Sequence, residues 1–137
     1  MRAVCGWFYS ALLIPMTSVA MGRLTTHVLD TALGRPGAGM RIDLFRLDQG
    51  ARLALGQYTS NADGRCDQPL LADAAFVVGR YELDFHVGDY FAGLGLAGSE
   101  PRFLDVVTLR FGVSDATQHY HVPLLVSPYA YSSYRGS

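Results

Sequence analysis

The sequence predicts an all-β protein, a two-layer antiparallel β-sandwich of seven or eight strands with one short helix. Apolar and polar residues alternate with a period of two in several stretches, and no stretch carries a long helical period. Turn signals separate these stretches, namely GRPGAG at 34–39, DQG at 48–50, NADGR at 61–65 and VSPY at 126–129. Short amphipathic strands at this spacing bury their apolar faces by forming two packed sheets.

Each predicted strand has one apolar and one polar face. The strands are LTTHVLD at 24–30, MRIDLFRL at 40–47, GRYELDFHV at 79–87, RFLDVVTLRFGV at 102–113 and QHYHVPLLV at 118–126. From the second strand onward, the predicted apolar faces are Met40, Ile42 and Leu44; Tyr81, Leu83, Phe85 and Val87; Phe103, Val107, Leu109, Phe111 and Val113; and Tyr120, Val122, Leu124 and Val126.

The predicted helix is short and lies in GDYFAGLG, residues 88–95. Asp89 is expected to cap its first turn, because a carboxylate oxygen accepts a free backbone N–H there. Gly95 is expected to end it, because glycine adopts the left-handed conformation that follows many helices.

Composition narrows the class of protein. The chain has 137 residues, enough for one domain, with 50% hydrophobic residues, 17% charged residues and a net charge of -1. These values argue against disorder and against nucleic-acid binding by a basic face. All 11 basic residues are arginine, which excludes a Schiff-base lysine. Cys5 and Cys66 are interpreted as free thiols, because two scattered cysteines form neither a disulfide framework nor a zinc site.

Residues 1–20 allow two interpretations. An early arginine, an apolar run and a small-residue end are typical of a signal peptide. Alternatively, Met21 is the true start and the preceding residues are upstream sequence. On either interpretation residues 1–21 are set apart, and the functional domain spans 22–137.

Two histidines stand out near the end of the sequence. The apolar face of QHYHVPLLV leaves His119 and His121 together on the opposite face, with Cα atoms about 6.5 to 7 Å apart. Such a pair can bind a metal or share a proton-transfer task, or be two solvated surface residues. The same two interpretations, a functional role or a purely structural one, are open for His27 in the first strand and for Arg65 beyond the Asp-Gly turn.

Several other polar residues are interpreted without a functional role. Thr25, Thr31 and Ser133 are read as ordinary strand hydroxyls, and His86 as part of a polar strand face. The sequence contains no nucleophile elbow, phosphate-binding loop, HExxH zinc motif or dinucleotide fingerprint.

Three stretches together resemble the transthyretin-related family and, within it, the 5-hydroxyisourate hydrolases of purine breakdown. They are LTTHVLDTALGRPG at 24–37, NADGR at 61–65 and HYHVPLLVSPYAYSSYRGS at 119–137. The final YRGS is the hallmark of the hydrolases, and transthyretin itself, a hormone carrier, lacks it. The resemblance extends over residues 22–137. Typical hydrolases begin with a methionine shortly before LTTHVLD, which supports Met21 as the start and a cytoplasmic location; a true signal peptide would imply a periplasmic or secreted protein.

The resemblance implies an enzyme that hydrolyses 5-hydroxyisourate, opening its lactam C–N bond to give 2-oxo-4-hydroxy-4-carboxy-5-ureidoimidazoline. It also implies a homotetramer, a dimer of dimers, with active sites in the channel between dimers. The catalytic positions it assigns are His27, Arg65, His121 and Ser137. The substrate-binding positions are these four together with Tyr134, Arg135 and Gly136.

No cofactor is expected, and the only implied partners are the small-molecule substrate and further copies of the chain, with no nucleic acid or membrane. Zinc-bound members of the family would use His27, His119 and His121, although the reaction does not require metal. The alternative function is a non-catalytic, transthyretin-like protein that binds a small ligand or zinc.

Ring opening by water needs a base and positive charge near the developing oxyanion. His27 is the expected base, with His121 as its neighbour or acid partner, although the resemblance leaves open which group is the base. Arg65 suits a planar anionic ligand because its guanidinium is permanently charged and presents fixed donors. Ser137 offers a hydroxyl and, as the last residue, a carboxylate, and Gly136 lets the backbone approach closely.

Overall fold

Two β-sheets pack face to face in the computed structural model, which describes residues 21–137. The predicted signal-like or upstream segment, apart from Met21, lies outside the described residues, as does Cys5. The strands are β1 (Arg23–Asp30), β2 (Arg35–Pro36), β3 (Arg41–Asp48), β4 (Ala51–Thr59), β5 (Leu71–Ala72), β6 (Gly79–Phe85), β7 (Val107–Val113), β8 (His119–Val126) and β9 (Tyr131–Ser133). One α-helix, α1 (Val87–Gly93), follows β6, and a 3₁₀ turn occupies Asp73–Ala75.

The predicted β-sandwich is confirmed, with one difference in strand direction. The first sheet has the order β2-β1-β8-β9, with β5 also paired to β1, and the second has the order β4-β3-β6-β7. The pair β1 and β8 is parallel, whereas the other strand pairs of residues 21–137 are antiparallel. The first and last long strands therefore lie side by side in the centre of one sheet.

The core lies between the sheets and consists of the apolar faces that the alternation predicts. Leu24 and Val28 of β1 are fully buried, and they face the buried side chains of the second sheet. Core side chains of the other strands include Ile42, Leu44, Tyr81, Leu83, Phe85, Val107, Val113, Tyr120, Val122, Leu124 and Val126. Side chains of a strand point alternately to its two faces. The residues next to these core residues in β1 therefore point to the outer surface of the sheet.

The strand predicted over 102–113 is shorter than expected, because β7 begins at Val107. Phe103 was expected on its apolar face, but 72% of its surface is exposed. The segment before β7 is held instead by Arg102, whose guanidinium binds Asp89 at 2.7 Å and Glu100 at 2.9 Å. These ion pairs replace the strand pairing that the alternation alone predicts.

The predicted helix is present but begins earlier than expected. His86 precedes its first turn and Asp89 lies within that turn, where it pairs with Arg102 and does not cap the helix. The predicted end is confirmed, since Gly95 has a φ of +73° just beyond the helix and its N–H donates to the carbonyl of Ala92. Across residues 21–137, no helix is long and apolar enough to cross a membrane.

Candidate active site

The outer face of the β1–β8 pair carries a row of polar side chains. The parallel register places Thr25 beside His121 and Arg23 beside His119. Their neighbours Leu24 and Tyr120 point into the core, so strand alternation turns the polar residues outward. His27 lies two residues beyond Thr25 on the same face, and its ring centroid is 6.4 Å from that of His121.

The NADGR turn brings Arg65 to this face. The side-chain oxygen of Asn61 accepts the backbone N–H groups of Asp63 at 2.9 Å and Arg65 at 3.1 Å, which fixes the turn. The turn also docks on β1, because the N–H of Val28 donates to the carbonyl of Gly64 at 2.7 Å. An isolated β-bridge joins His27 to Arg65. A local turn therefore places the guanidinium-bearing residue beside the histidine of β1.

Replacing Gly64 with alanine is expected to lower both stability and activity. Gly64 has a φ of +76°, and a Cβ there would lie 2.3 Å from the carbonyl oxygen of Val28. The left-handed conformation costs about 1–2 kcal/mol for a residue with a Cβ, and the clash would additionally push the turn away from β1. The measurements are the free energy of unfolding in urea and the rate of substrate turnover.

Gly50→Ala is the matched control, because Gly50 has a φ of +82° and a Cβ there meets nothing within 4 Å. It lies in the β3–β4 hairpin, so we expect the conformational cost alone and an unchanged rate. An equal loss of activity in both variants would show that the docked turn has no special part in the site.

The C-terminal residues pair with the edge of this same face. Gly136 and His121 exchange two backbone hydrogen bonds, with N···O distances of 2.7 and 3.3 Å. A Cβ at Gly136 would lie 3.1 Å from Cδ2 of the His121 ring. Only a residue without a side chain fits this close without displacing the imidazole, and the chain then delivers Ser137 into the site.

These segments enclose one cleft of about 430 Å³. Four of the predicted residues line it, namely Arg65, His119, His121 and Ser137. The remaining lining residues are Arg23, Thr25, Thr26, Cys66, Asp67, Gln68 and Pro69. His27 lies beside the cleft next to His121 and Arg65.

Tyr134 and Arg135 lie outside this cleft and line a second one, of about 280 Å³, at the edge between β7 and β8. The Arg135 guanidinium stacks 4.1 Å above the centre of the Tyr120 ring and donates to Gln118 at 2.9 Å. Arg135 also donates to the backbone carbonyl of His119 at 3.2 Å, but neither Tyr134 nor Arg135 lines the cleft that holds the imidazoles. Their assignment to the substrate wall stays a prediction.

The surroundings of the three imidazoles favour their neutral forms. Burial, and then the charge of Arg65, lowers the pKa of His27 below its usual value. The same two causes, in the same order, lower the pKa of His121. Burial and then Arg23 lower the pKa of His119. Neutral imidazoles beside arginines can accept a proton from water while the guanidinium groups attract a developing negative charge.

The tautomer of His27 follows from its hydrogen bond. Its Nε2 lies 3.0 Å from the carbonyl oxygen of Asp63. Because a carbonyl oxygen only accepts, Nε2 carries the proton and the neutral ring keeps its lone pair on Nδ1. The base that His27 offers is therefore Nδ1. By contrast, burial raises the pKa of the Cys66 thiol, so that thiol stays protonated and is a poor nucleophile at neutral pH.

Thr25 and Arg23 are among the residues of the cleft that were not recognised from the sequence. Thr25 was interpreted as an ordinary strand hydroxyl, yet its Oγ1 lies 2.7 Å from Nε2 of His119 and 2.8 Å from Nδ1 of His121. Arg23 was not singled out, yet it adds a second guanidinium to the cleft. Arg23, Thr25 and His27 are spaced two residues apart, so they share one face of a strand. This spacing is the sequence signal that could have identified Thr25 and Arg23.

The zinc set expected for metal-bound family members, His27, His119 and His121, stays a prediction. Within residues 21–137, no three His, Cys, Asp or Glu side chains are placed to hold one metal ion. Thr25 already engages a ring nitrogen of His119 and one of His121, and the centroids of these two rings are 6.1 Å apart. The roles proposed below concern the metal-free side chains.

The fold and the cleft define a β-sandwich protein whose outer sheet face carries a cleft lined by imidazoles and guanidinium groups. Residues 24–136 match the model of the HIUase/Transthyretin family. The chain belongs to this family.

Individual relatives agree with this placement. The chain is 60% identical to 5-hydroxyisourate hydrolase 2 of Rhizobium meliloti over 116 residues, which cover 85% of this chain and 97% of that protein. The structure of Klebsiella pneumoniae 5-hydroxyisourate hydrolase superposes with a TM-score of 0.70 at 32% identity, covering 85% of this chain and 100% of that one. An (S)-allantoin synthase superposes with a TM-score of 0.83 at 48% identity; the match covers 88% of this chain and 46% of that longer chain.

Proposed function

We propose that this chain is a 5-hydroxyisourate hydrolase, which adds water to the lactam carbonyl of its substrate and opens the six-membered ring. The product is 2-oxo-4-hydroxy-4-carboxy-5-ureidoimidazoline. The observation that carries this proposal is the convergence of Arg65, His121 and Ser137 on one cleft beside His27. These residues come from β1, the NADGR turn, β8 and the C-terminal residues, and they carry the base and the charge that ring opening needs.

His27 is proposed as the group that takes a proton from the attacking water. Its Nε2 is committed to the carbonyl of Asp63, which leaves Nδ1 as the basic atom and fixes the ring orientation. Burial and Arg65 lower its pKa, so the neutral, proton-accepting form is already present at neutral pH. The base is therefore available without a change of protonation.

Arg65 is proposed to bind the planar substrate and to stabilise the oxyanion that forms when water attacks the carbonyl. Its guanidinium presents donors in a fixed plane, which matches a flat substrate rich in oxygen atoms. The docked turn holds Arg65 at the rim of the cleft. Since little reorganisation is needed, the charge is in place as the oxyanion develops.

His121 is proposed to protonate the nitrogen that leaves when the C–N bond breaks. It lies between Thr25, which engages its Nδ1 at 2.8 Å, and the backbone of Gly136. Its Nε2 is then the atom free to act on substrate. The Ser137 hydroxyl, which lines the same cleft, is proposed to orient the water or the substrate.

The proposed assembly is a homotetramer with the active sites between dimers. The C-terminal region leaves Tyr129, Tyr131 and Tyr134 exposed, and exposed aromatic rings of this kind are suited to subunit contacts. In such an assembly Tyr134 and Arg135 of one chain would contribute to the substrate wall. Light scattering of the purified protein measures the subunit number directly.

The decisive experiment follows the ultraviolet absorbance of freshly generated 5-hydroxyisourate with and without the protein. Because this substrate also decays unaided, the expected result is an acceleration proportional to protein concentration. A decay rate that stays at the uncatalysed value over a wide range of protein concentrations would reject the hydrolase function and favour a ligand-binding role. Metal analysis, together with activity after chelation, separates the metal-free enzyme from a zinc-dependent one.

A further inference from the structure

The hydroxyl of Thr25 lies between two imidazoles. Its Oγ1 is 2.7 Å from Nε2 of His119 and 2.8 Å from Nδ1 of His121. Thr25 is half-buried on β1 and pairs in register with His121 on β8. Both contacts have hydrogen-bond length, so one oxygen atom joins the two rings of the His-x-His pair.

Counting hydrogens restricts how these bonds can be made. A threonine hydroxyl has a single hydrogen to donate, so Thr25 cannot donate to both rings, and its hydrogen is used between them when it donates to one ring and accepts from the other. If it donates to Nδ1 of His121, then His119 donates from Nε2, and neutral His121 carries its own proton on Nε2. If it donates to Nε2 of His119, then His121 donates from Nδ1 and has a lone pair on Nε2. The Nε2 atom of His121 is thus an acid in the first arrangement and a base in the second.

We propose that Thr25 is a positioning residue that couples the tautomers of His119 and His121 and passes a proton between them. The proposal rests on the proposed hydrolase function, in which His121 acts on the leaving nitrogen. When His121 gives its Nε2 proton to that nitrogen, its Nδ1 takes the proton of Thr25. Thr25 takes the Nε2 proton of His119, and Nδ1 of His119 takes a proton from solvent, to which His27 returns the proton that it removed from the attacking water. One proton enters and one leaves, so the rings stay neutral.

The coupling gives His119, the other histidine of the His-x-His pair, a part in the proton transfer. The side chain of His119 lines the cleft, and Thr25 joins its Nε2 to Nδ1 of His121. Without the hydroxyl, the two rings would choose their tautomers independently. The fraction of His121 in its acid form would then fall, while the shape of the cleft would change little.

The test compares three single variants. Thr25→Val removes the hydroxyl with little change in volume, and Thr25→Ser retains it. Thr31→Val is the matched control, because the Thr31 hydroxyl also bonds a group of β8, the carbonyl of Val126 at 3.1 Å, outside the cleft. General acid catalysis contributes roughly 10²–10⁴-fold, so we expect Thr25→Val to lower kcat by about tenfold or more with little change in KM. Thr25→Ser should restore most of the rate, and Thr31→Val should match the parent.

A second readout uses no substrate and therefore separates this proposal from the proposed function. Imidazole ¹⁵N chemical shifts report which ring nitrogen carries the proton. We expect His119 and His121 to show coupled tautomers in the parent and in Thr25→Ser, and both rings to change in Thr25→Val. Unchanged ring shifts in Thr25→Val, or a kcat equal to that of Thr31→Val, would overturn the proposal. Coupled tautomers in a protein that does not accelerate substrate decay would leave the coupling standing and reject the hydrolase.

Discussion

Replacing Arg65 with glutamine is expected to lower kcat/KM for 5-hydroxyisourate by about 10²–10³-fold, the usual effect of removing one oxyanion donor. Glutamine keeps a polar, planar end group but loses the charge and the paired donors of the guanidinium. Arg65 lines the cleft, and its backbone position is fixed by Asn61 and by the docked turn. The loss should therefore come from the side chain alone, and it is measured by steady-state absorbance assays.

Arg80→Gln is the matched control, because Arg80 is exposed on β6 of the other sheet. The same charge is removed there without touching the cleft, so kcat/KM should stay near the parent value. If Arg65→Gln kept a near-parental rate, or if Arg80→Gln lost as much, the assignment of Arg65 to the oxyanion would be wrong.

The Arg65→Gln variant should also change the pH profile. In the parent, burial and then Arg65 lower the pKa values of His27 and His121. The neutral bases are thus retained to a lower pH than in a free histidine, whose pKa is about 6.5, and the acid limb of kcat/KM is shifted in the same direction. Removing the positive charge makes protonation easier, so the acid limb should move upward in the variant. A limb that stays in place or moves downward would contradict the electrostatic role of Arg65.

Replacing His27 with glutamine is expected to lower kcat by about 10²–10⁴-fold, the contribution typical of a general base. The glutamine amide can still donate to the carbonyl of Asp63, as Nε2 of His27 does at 3.0 Å, but it offers no basic nitrogen. The turn that carries Arg65 should stay docked. The effect should appear mainly in kcat, because substrate binding depends on the arginine and not on the lost lone pair.

His86→Gln serves as the control for this change. His86 lies between β6 and α1, and its Nε2 contacts Asp43 at 3.0 Å on the second sheet. We expect an unchanged kcat, although the lost contact with Asp43 can reduce stability slightly. A His27→Gln enzyme that turns over within about threefold of the parent, well inside the range expected for a general base, would transfer the base role to another group.

Much of this site follows from local sequence patterns. Alternation in LTTHVLD and QHYHVPLLV correctly separated the core residues from the outward histidines, because the side-chain period of a strand is two. The Asp-Gly step correctly located a turn, and Gly64 has the positive φ that such a turn requires. The catalytic roles of these residues came from the family resemblance and await the tests above.

Other features depended on contacts between distant parts of the chain. Glu82 was expected on a polar strand face, but it is only 5% exposed, because Arg52 and Arg110 bind its two carboxylate oxygens at 2.8 and 2.7 Å. The late start of the strand predicted over 102–113, which begins only at Val107, reflects the ion pairs of Arg102. The alternation pattern does not contain the burial of Glu82, because its partners Arg52 and Arg110 lie 30 and 28 residues away in sequence.

The sequence by itself determined which residues of this protein face outward and where the chain turns, since both depend on neighbouring residues. Only the tertiary structure decided that β1 and β8 run parallel in the register that places Thr25 beside His121, and that the NADGR turn and Gly136 meet on that face. β1 and β8 contain residues about 95 positions apart in sequence, and their pairing register is selected by burial of the whole core. A shift of one strand by one residue would turn all of its buried side chains to the surface.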